Sequence, residues 1–372
     1  MLIIQKLYLH LQQIIQHHER TDDEGKYPVK KLAIVILNWN GRAMMQKYLP
    51  SVVRCSTVGE VIVADNASTD DSMTMLEREF PDVRTVVLEK NFGFAEGYNR
   101  ALAQLPEYEY YLLLNSDVEI RQEGWDKVLT DYMDAHPACA ACMPKLLDLR
   151  KPPTCFEYAG CAGGFLDKYG YPFCRGRILN TVEEDHGQYD DVCTVLWATG
   201  AALLCRATDW RDSGGLDSRF FAHMEEIDLC WRLRGMGRDI VCIPQSTAWH
   251  LGGATLQQGN PRKTFLNFRN NLLMLYKNLP EAELRSTLRV RALLDYVAAL
   301  QFLLKGDLAN TRAVLRARRD FQRMKGEYVT IREAIQQKSS TKRLPERTDF
   351  SVLWQYYVRG RKRFSQLPWE GK

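Results

Sequence analysis

The stretch from Lys31 to Leu114 predicts an α/β fold on a mostly parallel, Rossmann-like sheet, with a helical region at the C-terminal end of the chain. Three observations carry this. Short β-rich runs alternate with helical stretches, the runs are apolar almost throughout, and the residues that close them are polar. Alternation at this spacing specifies a sheet covered on both faces, and strands buried on both faces need near-continuous apolar runs.

The elements follow in order. Leu32–Leu37, Val58–Ala64, Arg84–Leu88 and Tyr110–Leu114 read as strands, and Met44–Cys55, Ser72–Glu79 and Ala95–Gln104 read as the helices between them. In such a sheet ligands gather at the carboxyl ends of the strands. The residues there are Asn38 and Asn40, Asp65 and Asn66, Asn91 and Gly93, then Asn115 and Asp117. The turn after the first strand reads NWNGRAM rather than a glycine-rich dinucleotide fingerprint, which argues against a nicotinamide or flavin enzyme.

At 372 residues the chain is long for one compact domain. Residues 1–28 read as an amphipathic helix and linker, with Ile3, Ile4, Leu7, Leu11, Ile14 and Ile15 at helical spacing; 29–280 read as the catalytic unit and 281–372 as a basic helical region. From residue 285 onward 20 Lys and Arg stand against 8 Asp and Glu, a net +12, whereas the preceding residues net −8. Opposite charge suggests two tasks. Leu293–Leu304, the longest apolar run, has 12 residues and includes Asp295 and Gln301, too few to cross a bilayer but suited to lying on one. The ten cysteines are scattered through apolar stretches with one CxxC pair, Cys139 and Cys142, and read as buried thiols of a reducing compartment.

Three groups of residues can carry chemistry. Asp117 ends an apolar strand, where a carboxylate can hold a hard divalent cation or merely cap a turn. Glu225, Glu226 and Asp228 open a helical stretch, where carboxylates complement the helix dipole and where one could act as a general base. His250, before Gly252, could complete a metal shell or be structural.

Five segments then occur in order: ILNWNG from Ile36, VADNASTDDS from Val63, EKNFGFAEGYN from Glu89, LNSDV from Leu114 and EEIDLCWR from Glu225. Together they resemble an inverting family-2 glycosyltransferase of the GT-A fold, most like the rhamnosyltransferase-like bacterial members that build surface polysaccharides, over about Lys31–Leu279. The resemblance implies donor contacts at Asn38, Asp65, Asn66, Asn91, Asn99, Asn115 and Asp117, and a Mg2+ or Mn2+ ion on Asp117 and His250. Asn115 stands where the family's DxD motif more often has a carboxylate. The resemblance also implies Glu226 as base in place of the usual Asp, flanked by Glu225 and Asp228, and an acceptor wall at Trp197 and Gly200.

The expected activity is transfer of a sugar from a nucleotide-sugar to a hydroxyl of a glycan or lipid-linked acceptor, by an enzyme peripheral on the cytoplasmic face of a membrane whose anionic surface the basic region contacts. No nucleic-acid partner is expected. A nucleotidyltransferase would favour a glycine-rich, Lys/Arg-bearing loop after the first strand, where only Gly41 and Arg42 stand. A non-catalytic scaffold of the same fold is the other alternative.

Overall fold

The structure is a computed structural model that describes residues 29–150, 155–252, 259–341 and 343–369. The N-terminal helix expected within residues 1–18 lies outside them.

Strands β1 (Lys30–Asn38), β2 (Glu60–Asp65), β3 (Arg84–Val87) and β4 (Tyr108–Leu114) pair in parallel in the order β4-β1-β2-β3. Helices α1 (Arg42–Cys55), α2 (Ser72–Glu79) and α3 (Gly93–Leu102) connect them. Leu32–Ile36 and Leu112–Leu114 are fully buried, as strands covered on both faces must be.

The other half of the sheet was not fully legible in the sequence. After β5 (Val118–Glu119) and α4 (Trp125–Ala135) comes β6 (Cys139–Asp148), buried at every position, so the CxxC cysteines are core residues. A small antiparallel sheet of β7 (Gly164–Leu166), β8 (Pro172–Cys174), β9 (Arg177–Ile178) and β10 (Thr181–Val182) follows, then β11 (Cys193–Thr194) and β12 (Ala202–Arg206). Strand β12 inserts antiparallel between β4 and β6, so the sheet is mixed beyond β4. Helices α5 (Ala207–Ser213) and α6 (Glu225–Gly235) lead to β13 (Asp239–His250), which lies parallel to β6 and antiparallel to β5 and β11.

Helices α7 (Pro261–Asn278), α8 (Glu281–Leu304), α9 (Leu308–Met324) and α10 (Val329–Lys338) pack beside this sheet, and α11 (Val352–Tyr357) lies in the final segment. The basic region is no separate lobe. Arg291 on α8 is buried and donates to Asn271 and to the Tyr169 carbonyl at 3.0 Å, and Asp295 holds both Arg291 at 3.3 Å and Arg318 at 2.6 Å. Arg318 is therefore a packing residue. Further along, Phe350, Phe364 and Trp369 close over Phe165 and Phe173 of the small sheet.

Candidate active site

The carboxyl edge of the parallel strands gathers most of the expected residues. Asn38 Nδ2 donates to Asp65 Oδ1 at 3.0 Å, and the backbone N–H of Ser68 donates to Asp65 Oδ2 at 2.9 Å. Both side chains are buried at the carboxyl ends of β1 and β2. Asn66 and Asn91 have a different task. The Asn66 amide donates to Asn91 Oδ1 at 3.2 Å and to the Gly93 carbonyl at 3.0 Å, which shapes the loop that starts α3. Asn99 is turned away from the edge. It exchanges two hydrogen bonds with the Leu216 backbone, at 2.7 and 3.0 Å, and braces α3 instead of reaching toward a donor.

At the end of β4, His250 Nε2 lies 3.1 Å from Asp117 Oδ1 and 3.3 Å from Asn115 Nδ2. The cause is topological: His250 closes β13, which pairs with Val118 of β5 immediately after Asp117. Two cis ligands of an octahedral cation at about 2.1 Å lie about 3 Å apart, so this oxygen and nitrogen are spaced as two such ligands once the proton that the imidazole carries is displaced. Carboxylate oxygen and imidazole nitrogen are also a donor set that such ions accept. Among the described residues no three His, Cys, Asp or Glu side chains form a ready-made cation cage.

A third side chain, which the sequence did not single out, stands behind the histidine. Glu157 is 2% exposed; its Oε2 accepts the Ala159 N–H at 2.6 Å, and its Oε1 lies 3.5 Å from His250 Nδ1, an ion-pair rather than a hydrogen-bond separation. A Cβ on Gly252 would come within 2.9 Å of that Oε1, so glycine leaves room for the carboxylate. Burial alone would lower the His250 pKa, but the charge of Glu157 and the contact with Asp117 outweigh it and push the imidazole up to about 10. No sequence pattern marks Glu157.

The acidic pair sits at the start of α6. Glu225 and Glu226 each leave Oε2 buried without a hydrogen-bond partner. Burial pushes the Glu226 carboxyl up to about 7, and burial together with the neighbouring Glu226 charge raises Glu225 well above the carboxylate range. The two titrate as a pair, so the raised values belong to the pair and not to either residue alone. Gly200 lies against Glu226: a Cβ there would meet Glu226 Cβ at 3.7 Å and Phe94 Cζ at 3.3 Å. Next to Gly200, the Ala201 carbonyl accepts the Asn115 N–H at 3.0 Å, which ties the acidic pair to the end of β4.

The loop before α6 is strained. Phe221, His223 and Met224 have φ of +66°, +71° and +73°, conformations that cost about 1–3 kcal/mol each for residues with side chains. Asn270 on α7 holds it by donating to the carbonyls of Phe220, Ala222 and His223 at 3.0, 2.9 and 2.8 Å. Burial lowers the His223 pKa to about 4, with Lys263 adding to the effect, so this imidazole is neutral.

Two expectations need correction. Trp197 is 2% exposed and donates its Nε1–H to the Phe165 carbonyl at 3.0 Å; its ring packs flat on Gly164, leaving no face for a sugar. Asp228 is fully buried, and its oxygens are taken by Lys277 at 2.7 Å, Arg232 at 3.0 Å and Asn278 at 2.8 Å. It anchors α6 to α7 and has no room to receive a substrate proton.

The mixed α/β sheet with its polar strand edge is that of a GT-A fold, and the chain is a glycosyltransferase. The family model for Glycosyl transferase family 2 matches residues 33–148. Over those residues the chain resembles family-2 glycosyltransferases. It is 25% identical over 232 residues to N-acetylglucosaminyl-diphospho-decaprenol L-rhamnosyltransferase of Mycobacterium tuberculosis, covering 59% of this chain and 75% of that protein. The fold resembles S. aureus TarS 1-349 in complex with UDP-GlcNAc, with TM-score 0.51 and 17% identity over 82% of this chain and 88% of that one. It also resembles GalNAc-T7 with UDP, GalNAc and Mn2+, with TM-score 0.53 and 12% identity over 68% of this chain and 48% of that one.

Proposed function

We propose that the protein transfers a sugar from a nucleoside-diphosphate sugar to a hydroxyl of a lipid-linked glycan acceptor, with inversion at the anomeric carbon. The observation that carries the reading is the Asp117–His250 pair, 3.1 Å apart, on the strand edge that also carries Gly200 and, against it, Glu226. Asn38 and Asp65 contact the nucleoside. Asp117 and His250 would hold Mg2+ or Mn2+, which when bound neutralises charge on the departing diphosphate. Glu226 removes the proton from the acceptor hydroxyl as that oxygen attacks, and its raised pKa makes it a stronger base than an ordinary carboxylate at neutral pH. Gly200 leaves the space beside Glu226 free of a side chain, which suits the approach of the acceptor. The mycobacterial relative's name supports a lipid-linked acceptor. Such an acceptor favours work at a cytoplasmic membrane surface, where the net charge of +12 after residue 284 would attract anionic lipid.

The test is thermal stabilisation by UDP, GDP and dTDP with and without Mn2+, since a ligand at 100 times its dissociation constant adds about 2.7 kcal/mol. One nucleotide should stabilise the protein strongly and only with the ion. No stabilisation by any of them, together with no metal-dependent donor hydrolysis, would exclude the reading.

A further inference from the structure

Helix α8 is built inside out. The side chains that it buries are Leu284, Thr287, Arg291, Asp295 and Ala299, so three of the five are polar or charged. The side chains that it turns to solvent include Leu293, Tyr296, Val297, Leu300 and Leu304, at spacings of three, one, three and four residues. All five are more than half exposed, and Leu304 is 80% exposed. A helix that packs only on its own protein shows the opposite arrangement, with its apolar stripe inward. The sequence masked this, because it does not show that Arg291 and Asp295 are spoken for by Asn271, Tyr169 and Arg318.

The neighbouring helix supplies charge. Helices α8 and α9 form a hairpin in which Arg318 pairs with Asp295 and Thr311 donates to the Ala299 carbonyl at 3.4 Å. Arg312, Arg316, Arg319 and Arg323 recur along the exposed side of α9 every three or four residues. Among the described residues they meet only Asp320 within ion-pair distance, at 3.9 Å from Arg316 and 4.0 Å from Arg323. An outward apolar stripe on one helix of the hairpin and an exposed row of arginines on the other complement one environment in particular: the boundary of an anionic bilayer, with acyl chains for the leucines and headgroup phosphates for the guanidinium groups.

We infer that the outward face of α8 inserts into an anionic lipid surface, with the α9 arginines on the headgroups. This rests on the reading of the protein as a membrane-surface enzyme and adds insertion to attraction. Among the described residues no helix is long and apolar enough to cross a membrane, so the hairpin lies on the surface.

The test uses the full chain with vesicles of phosphatidylglycerol and phosphatidylcholine. One variant combines Leu293→Ser, Val297→Ser, Leu300→Ser and Leu304→Ser, which keeps the charge; a second combines Arg312→Gln, Arg316→Gln, Arg319→Gln and Arg323→Gln. Because these side chains face solvent, both variants should melt like the parent. The serine variant should lose roughly tenfold or more in vesicle partitioning, because four buried apolar side chains are removed. A Tyr296→Trp variant should show quenching by acyl-brominated lipid beyond that of the parent. Equal sedimentation of parent and serine variant, with release only of the glutamine variant, would overturn insertion and leave electrostatic attraction standing. No sedimentation of the parent at low salt would overturn both. A dimer in light scattering that the serine substitutions dissolve, without lipid quenching, would assign the face to a second copy and overturn the inference.

Discussion

Glu226 couples burial to chemistry most directly. Its carboxyl is pushed up to about 7 by burial, and a base works only when deprotonated, so kcat/KM should rise as pH passes upward through about 7 and fall below it. Glu226→Gln should lower turnover by about 10²–10⁴ while leaving nucleotide affinity nearly unchanged. Glu225→Gln should do less; the reverse order in a steady-state comparison would assign the base to Glu225. At the strand edge, Asp117→Asn keeps the volume and removes the charge, so calorimetric titration of a nucleoside diphosphate with Mn2+ should show binding that no longer depends on the ion. Glu157→Gln should weaken Mn2+ affinity by about 10–100-fold in the same titration, as expected of a partner that orients a ligating imidazole. Neither partner of that histidine is near it in sequence; the pairing of β13 with β5 and β6 brings them together.

At the scale of elements, α6 shows how one acidic helix start divides its labour. Glu225 and Glu226 keep partnerless oxygens, whereas Asp228, three residues after Glu225, is spent on Lys277, Arg232 and Asn278. Burial alone would raise the Asp228 pKa, but the two cations and the Asn278 amide hold it below the ordinary carboxyl value. Its contribution to stability is therefore complete above the ordinary carboxyl range and is lost as pH falls through the lower folded value. Asp228→Asn should cost about 3–5 kcal/mol in urea unfolding at neutral pH, because it strips buried Arg232 of its carboxylate and leaves buried Lys277 to Asp217. The sequence places all three carboxylates at a helix start, and only the position of α7 decides which of them is structural.

Across the whole molecule, the C-terminal segment closes the fold instead of trailing from it. Val352 N–H donates to Asp167 Oδ2 at 2.9 Å, Arg234 pairs with Glu346 at 2.8 Å, and Phe364 packs on Phe165, Phe173 and Trp369. Phe364→Ala should therefore destabilise the whole protein by about 3–5 kcal/mol, read as a lower melting temperature with a single transition. A separate early transition for the C-terminal region would show that it folds on its own. The same packing makes point substitutions on α8 and α9 a better probe of membrane attachment than removal of residues 281–372, which would uncover Asn271 and the Tyr169 carbonyl.

The sequence by itself determined the parallel half of the sheet, the polar strand edge and the family. Those rest on local periodicity and on side chains within a few residues of one another. Asn38, Asp65, Asn115 and Asp117 are legible because each follows an apolar strand. Tertiary structure decided the rest. The antiparallel insertion of β12 sets Gly200 beside Glu226, and the β13–β5 pairing brings His250 to Asp117 with Glu157 behind it. The hairpin of α8 and α9 turns a leucine stripe outward because Arg291 and Asp295 find their partners within. Contacts between residues so far apart in sequence leave no periodic trace. A buried polar group is tolerated only where distant partners satisfy it, so which face of a helix is inside follows from those partners and not from its own apolar pattern.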